Sequence, residues 1–225
     1  MSLAILIPAR WGSTRFEGKP LAELNGVPLI KRVYDICKST GLDTYVLTDD
    51  QRIYNVVGPD CIIDRDEYEN GTERCAGAHN KNYVSYEHYI NVQGDMADVT
   101  PEIITAAINA LDGCQVSTVY TEMPKEKQDD PNTVKMVRAD NRALWFGRGM
   151  TGYGDWHLGI YGYDAIALEQ YPKKVSIEEQ VEKLEQIRWL KSGWQIGCKS
   201  VQYTGTEINT PEDLEEWHQK YSMTN

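Results

Sequence analysis

The sequence has no apolar run long enough to cross a bilayer. Its opening stretch, Leu3-Ala4-Ile5-Leu6-Ile7, ends at Pro8, and no basic leader stands before it, so neither a spanning segment nor a secretion signal is expected. A cytoplasmic location without a membrane partner is the expectation. It also lacks any Lys/Arg block or basic helix. A formal net charge of −11 repels polyanions, which excludes nucleic acid as a partner and makes any phosphate site a local feature. There is no C-x-x-C pair either. The five cysteines, Cys37, Cys61, Cys75, Cys114 and Cys198, are odd in number and scattered, and read as reduced, mostly buried thiols rather than a zinc or redox centre. Internal repeats, low-complexity tracts and Gly/Pro/Ser-rich linkers are missing too, so a single domain over 1–225 is expected.

What is present is a globular composition, 41% hydrophobic, with charge spread along the chain. Short apolar runs alternate with helical patterns through the first half, the signature of β-α units laid into a mostly parallel sheet. Leu3 to Ile7, Tyr45 to Leu47, Cys61 to Ile63 and Tyr89 to Gln93 read as strands. Helices are expected through Leu29, Ile30, Val33, Ile36 and Cys37, from about Thr72, and from Thr100-Pro101. Beyond residue 115 the pattern becomes mixed. Strands are expected at Val116–Tyr120, Thr133–Val137, Ala143–Phe146 and Leu158–Tyr163, with Asp140-Asn141 turning a hairpin. Ser176 and Glu179 form a capping-box pattern for one long helix carrying Ile177, Val181, Leu184 and Ile187 on a buried stripe. A last helix opens at Thr210-Pro211.

The most informative segment follows the first strand: Pro8-Ala9-Arg10-Trp11-Gly12-Ser13-Thr14-Arg15-Phe16-Glu17-Gly18-Lys19-Pro20. In open α/β sheets ligands gather at the carboxyl ends of strands, where this loop emerges. Gly12 and Gly18 allow backbone amides to face an anion, and Arg10, Arg15 and Lys19 put three cations within ten residues of an acidic chain. That concentration suits a triphosphate. The pattern is neither the dinucleotide fingerprint nor a Walker loop, because Gly12 and Gly18 are one residue too far apart and Pro20 follows Lys19.

With Leu21 added, that segment resembles the N-terminal signature of the 3-deoxy-manno-octulosonate cytidylyltransferases, also called CMP-Kdo synthetases. Further strings follow in the family's order: Thr48-Asp49, Gly71-Thr72-Glu73-Arg74, Asn91-Val92-Gln93-Gly94-Asp95, Asn132-x-Val134-Lys135, His157 to Tyr163, Leu184-Glu185-Gln186-x-Arg188 and Thr210-Pro211-Glu212-Asp213-Leu214. The resemblance covers nearly the whole chain. It implies a Rossmann-like α/β nucleotidyltransferase fold, a mostly parallel central sheet flanked by helices with a smaller mixed or antiparallel subregion. The CTP-binding part is expected mainly in 1–115, and a sugar-binding and dimerisation part mainly in 116–200.

By the same resemblance, Arg10, Ser13, Arg15 and Lys19 would bind the CTP phosphates. Gly71, Thr72 and Arg74, with the backbone of the first loop at Ala9, would hold cytosine and ribose. Asp95 and Asn209 would hold Mg2+, and Arg10, Lys19 and Asp95 would carry the catalysis. Gln93, Arg148, His157, Tyr161, Glu182, Glu185 and Gln186 would receive an acidic 3-deoxy-octulosonate-type sugar, Arg148 by bidentate pairing with its carboxylate. The implied reaction is attack of the sugar's anomeric hydroxyl on the α-phosphorus of CTP, with release of pyrophosphate, by a homodimer.

Three departures stand out. Met96-Ala97 replaces the family's Glu-Pro after Gly-Asp. Asn209 stands where the family has a second metal-binding aspartate, so a two-ion site is expected to be weakened. The segment Gly149–Trp156 is shorter than its counterpart. These leave two alternatives open: a catalytically impaired nucleotide-binding homologue, or a cytidylyltransferase for a different acidic sugar.

Overall fold

The computed structural model describes residues 2–12 and 15–222. In chain order the elements are β1 (Leu3–Pro8), β2 (Glu23–Leu24), β3 (Val27–Pro28), α1 (Leu29–Lys38), β4 (Asp43–Thr48), α2 (Gln51–Val57), β5 (Cys61–Ile63) and α3 (Gly71–Asn80). Then come β6 (His88–Asn91), α4 (Pro101–Asn109), β7 (Val116–Thr121), β8 (Lys135–Ala139), β9 (Arg142–Gly147), β10 (Asp155–Asp164), α5 (Ala165–Glu169), α6 (Ile177–Glu182), α7 (Ile187–Lys191), β11 (Ile196–Ser200) and α8 (Pro211–Ser222). The chain is mixed α/β, sheet flanked by helices, and divides into two compact units.

The first unit takes Leu3–Ser85, Asn91–Pro101 and the chain from Thr204 onward. Its main strands run parallel in the order β5-β4-β1, and β2 and β3 form a separate antiparallel pair. Ala4 to Ile7 are wholly buried, as a parallel strand covered on both faces requires, and this explains the unbroken apolar run. α1 turns Leu29, Ile30, Val33, Tyr34 and Cys37 to the core. Tyr34 sits there in place of Ile36, which is only half-buried. The third β-α step ends in α3, capped by Asn70, whose Oδ1 accepts from the Glu73 amide at 2.8 Å.

The second unit takes Tyr86–Ile90 and Glu102–Tyr203, with Ser2. Its sheet is mixed, β6-β10-β7-β11-β9-β8, with β7 antiparallel to β10 and parallel to β11. The Asp140-Asn141 hairpin forms as expected between β8 and β9, Asp140 taking the left-handed φ of 48°. Gly197 of β11 allows close packing: a Cβ there would lie 2.1 Å from the Ala110 carbonyl oxygen. Four of the five free cysteines are buried and Cys114 is half-buried. Among the described residues no helix is long and apolar enough to cross a membrane.

One expected element is corrected. Residues 176–191 do not form one long helix. α6 stops at Glu182, Lys183 takes the left-handed conformation (φ 55°, ψ 48°), and α7 starts afresh at Ile187. The Ser176 hydroxyl caps the Glu179 amide at 3.1 Å, as the sequence suggests, but the Glu179 carboxylate turns to Arg188 instead. Two residues of the supposed stripe, Ile177 and Val181, are 76% and 73% exposed, whereas Leu184 and Ile187 are buried.

Candidate active site

β1 delivers the chain to a pocket of about 230 Å³ in the first unit. After Pro8 the backbone is pinned to the neighbouring β-α step: the Ala9 amide donates to the Leu47 carbonyl at 2.9 Å, and the Trp11 amide to Asp49 Oδ1 at 3.0 Å. Trp11 then covers the loop. Its ring lies against Gly18, where a Cβ would approach within 3.0 Å, and the Arg52 guanidinium lies over the ring. Gly18, with φ of 71°, opens the short 3₁₀ turn that carries Lys19.

Arg10, Arg15 and Lys19 all line this pocket, together with Asp95 and Asn209. Lys19 Nζ lies 2.7 Å from Asp95 Oδ2, and Arg15 Nη2 donates to Asn209 Oδ1 at 3.1 Å. Each expected metal ligand is thus answered by an expected phosphate-binding cation. The Ile208 amide donates to the Asp95 carbonyl at 3.0 Å, and Asp213 accepts from the Asn209 and Thr210 amides at 2.7 and 2.8 Å, which fixes Asn209 at the start of α8. Ser13 lies outside the described residues. Met96 and Ala97, in the family's Glu-Pro positions, are buried core residues.

More of the lining comes from α3 and the loop before it. Gly71 is required by close approach: a Cβ there would fall 3.1 Å from both the Gln93 Nε2 and Pro8 Cγ. Gln93, expected among the sugar contacts, therefore lines the pocket beside Gly71 and Arg74. Thr72 and Arg74 are buried. Arg74 donates to the Asp64 carbonyl at 3.0 Å and stacks over Tyr68. Tyr68 also lines the pocket, its hydroxyl donating to Asp64 Oδ2 at 2.7 Å, and its ring occupies the space that a side chain on Gly77 would need. Sequence reasoning missed Tyr68 because nothing local marks it. Asp49 carried a signal, the Thr48-Asp49 string at the end of β4, but was given no role.

Among the described residues no group of three or more His, Cys, Asp or Glu side chains could hold a metal ion alone. One carboxylate and one amide oxygen, on Asp95 and Asn209, are hard donors of the kind that suits an ion such as magnesium, which takes its other ligands from water and phosphate.

The remaining expected residues all lie in the second unit. His157 is buried on β10. Its Nε2 meets Thr118 Oγ1 at 2.9 Å, and because that hydroxyl donates its one proton to the Ile160 carbonyl at 2.7 Å, Nε2 must be the protonated nitrogen. Nδ1 is left as an acceptor. The ring contacts Phe146 and Tyr161, with centroids at 4.9 and 5.4 Å. Burial first, and the Arg148 charge second, pull its pKa down to about 3. The Gln186 side chain is 1% exposed and its Nε2 has no hydrogen-bond partner among the described residues, which leaves a buried donor unsatisfied by the protein. Glu182 is already engaged, accepting from the Arg148 amide at 2.6 Å. Glu185 is half-buried and its carbonyl accepts from the Tyr171 hydroxyl at 3.3 Å.

The low His157 pKa predicts a pH dependence of stability. From an ordinary pKa of about 6.5 down to about 3, the unfolded chain binds a proton there that the folded chain refuses, so stability falls with falling pH by about 1.4 kcal/mol per unit. Denaturant titrations between pH 7 and 5 should give His157→Gln a flatter profile than the parent. Parallel profiles would show that His157 charges in the folded protein.

A parallel β-α unit whose first strand ends in a cation-lined pocket, followed by a mixed sheet, is the Rossmann-like fold of nucleotidyltransferases. The chain belongs to the cytidylyltransferase family, whose model, described as "Cytidylyltransferase", matches residues 4–217. The 3-deoxy-manno-octulosonate cytidylyltransferase of Cytophaga hutchinsonii is 37% identical, over 95% of this chain and 95% of that protein. The 8-amino-3,8-dideoxy-manno-octulosonate cytidylyltransferase of Shewanella halifaxensis is 36% identical, over 95% and 96%. The solved structure of CMP:2-keto-3-deoxy-manno-octonic acid synthetase complexed with CTP matches with a TM-score of 0.90 at 31% identity, covering 100% of both chains.

Proposed function

We propose that this chain activates a 3-deoxy-octulosonate-type sugar with CTP. The anomeric oxygen forms a bond to the α-phosphorus as the bond from that phosphorus to the β-phosphate oxygen breaks. The hydroxyl proton is lost, and CMP-sugar and pyrophosphate leave. The observation that carries this reading is a single pocket in a chain of net charge −11 that gathers Arg10, Arg15 and Lys19 around Asp95. The chemistry asks little covalent work of the protein, since positioning and charge neutralisation lower most of the barrier. Arg10, Arg15 and Lys19, with Ser13, serve the phosphates; Ala9, Gly71, Thr72 and Arg74 serve the nucleoside. Asp95 and Asn209 would hold Mg2+, which when bound neutralises phosphate charge.

Arg148, His157, Tyr161, Glu185 and Gln186 serve the acidic sugar, with Gln93 at the boundary of the two roles. His157, neutral at physiological pH, accepts a sugar hydroxyl through Nδ1 rather than pairing with the carboxylate, which leaves the carboxylate to Arg148. On this reading the two units act as one nucleotidyltransferase domain in the cytoplasm. The exposed Ile177 and Val181, one helical turn apart on α6, give the second unit an apolar face for a homodimer.

The test is turnover. The purified protein with CTP, magnesium and a panel of ulosonic acids that includes the 8-amino sugar should release pyrophosphate with one of them. CTP binding without release would identify an impaired homologue. Failure to bind CTP would remove the reading altogether.

A further inference from the structure

The most unusual buried group in the second unit is Lys135. Its side chain is 0% exposed, yet its ammonium is held by two backbone carbonyls, those of Asp130 and Arg148, the latter at 3.1 Å. No carboxylate pairs with it among the described residues. Burying an ammonium on neutral acceptors is costly, so its place calls for a reason.

That reason lies in what surrounds it. Lys135 pairs in register with Gly147 on β9 and with Trp156 on β10, the two residues that bound the segment 148–155. The segment closes over it: Gly154, at a φ of 103°, passes so near that a Cβ there would lie 3.0 Å from the Lys135 Cβ, and Met150 packs against both Gly147 and Gly154. Arg148 is the first residue of this closed segment, and both of its peptide groups are held by charged side chains. Its carbonyl accepts from Lys135 Nζ, and its amide donates to Glu182 Oε2 at 2.6 Å, where the Gly149 amide also donates at 3.4 Å. The guanidinium donates through Nη1 to the Asn132 carbonyl. Asn132 belongs to the Asp130 turn, where Asp130 takes the Asn132 amide at 2.8 Å and the Thr133 hydroxyl at 2.9 Å, and Lys135 holds the Asp130 carbonyl of that same turn. One ammonium therefore fixes both the backbone of Arg148 and the acceptor that aims its guanidinium.

We infer that Lys135 is a positioning residue for the recognition of the substrate carboxylate, acting through Arg148 with Glu182 as its opposite-charge counterpart. Glu182 belongs to this frame rather than to the sugar contacts. A guanidinium pairs bidentately with a carboxylate only in a narrow range of orientations, and a long side chain left free gives up entropy to reach it. Holding Arg148 at three points supplies the orientation before the ligand arrives. The inference rests on the reading above that Arg148 receives the sugar carboxylate.

The test compares the full chain with Lys135→Met and Glu182→Gln in steady-state turnover of CTP with the accepted ulosonic acid and with its neutral carboxamide. Lys135→Met should raise KM for the acid by about 10- to 100-fold, the range for a mispositioned charge-assisted contact, with little change in KM for CTP. The preference for acid over carboxamide should shrink by a similar factor, and in an Arg148→Met background the further loss should be small. Glu182→Gln, which keeps one acceptor oxygen and the same shape, should move the same ratio by a few-fold and covers the case in which Lys135→Met does not fold. An acid-to-carboxamide ratio equal to the parent's in Glu182→Gln and in folded Lys135→Met overturns the inference. So does an equal loss on both sugars, the mark of a merely structural role. A parent that turns over neither sugar overturns the inference together with the reading beneath it.

Discussion

Asp95→Asn is expected to lower kcat by about 10²- to 10³-fold, the cost usually seen when one preorganised electrostatic stabiliser is removed, while barely changing the melting temperature. The two halves of this expectation have separate origins. Asp95 Oδ2 pairs with Lys19 Nζ at 2.7 Å in a half-buried, solvent-screened setting, so the pair contributes about 1 kcal/mol or less to stability. In the proposed reaction Asp95 would have a different task, holding magnesium against a triphosphate, and an amide there carries no charge. Steady-state assays with CTP and the accepted sugar, paired with a thermal melt, check both. A kcat within a few-fold of the parent would remove Asp95 from the catalytic set.

Glu179→Gln should do the reverse and strike stability. Arg188 and Glu179 are both buried and joined by three hydrogen bonds of 3.0, 2.9 and 2.6 Å. Arg188 also donates to the Pro172 carbonyl at 3.3 Å and lies over the Tyr171 ring. Removing the anion takes from a buried guanidinium the carboxylate that accepts three of its hydrogen bonds, and breaking a buried pair of this kind costs about 3–5 kcal/mol. For a chain of this length that lowers Tm by about 6–20 °C. Arg188→Met on top of Glu179→Gln should recover much of the loss, because it removes the buried charge that the carboxylate met. A thermal melt of the three variants decides, and a single-substitution shift below about 3 °C would show that the pair is not what holds α6 to α7.

The same pair explains why this region was misread in the sequence. Ile177, Val181, Leu184 and Ile187 keep helical spacing, so periodicity alone extends one helix through them. In an unbroken helix, however, positions 179 and 188 would sit on opposite sides, nine residues at about 100° each. For Glu179 to meet Arg188 the helix must break, and Lys183 takes the left-handed turn that allows it. A buried ion pair here outweighs a local pattern, with Ile177 and Val181 left exposed as the result.

Elsewhere the sequence was legible where the cause is local. β1, β5 and the Tyr45–Leu47 centre of β4 rest on continuous apolar runs, and the cationic loop directly follows the first of them. The Arg15 to Asn209 contact spans 194 residues and is legible only through resemblance, since no periodicity links a loop near one end to a cap near the other. Tyr68 escaped notice, and Lys135, quoted only within the Asn132-x-Val134-Lys135 string, was given no role, for a related reason. The first depends on the room left by Gly77, the second on three strands and a loop closing over one ammonium.

The pairing of Lys19 with Asp95 has a consequence for which anions can draw that lysine away. A cation already matched by a carboxylate offers little to a stray orthophosphate, which brings no partner for the aspartate it would strand. A nucleotide arriving with its own divalent ion, as the proposed reaction requires, would satisfy both halves in one exchange. On the proposed function Lys19 would thus yield less readily to a lone small anion than to a cargo that carries its countercharge along.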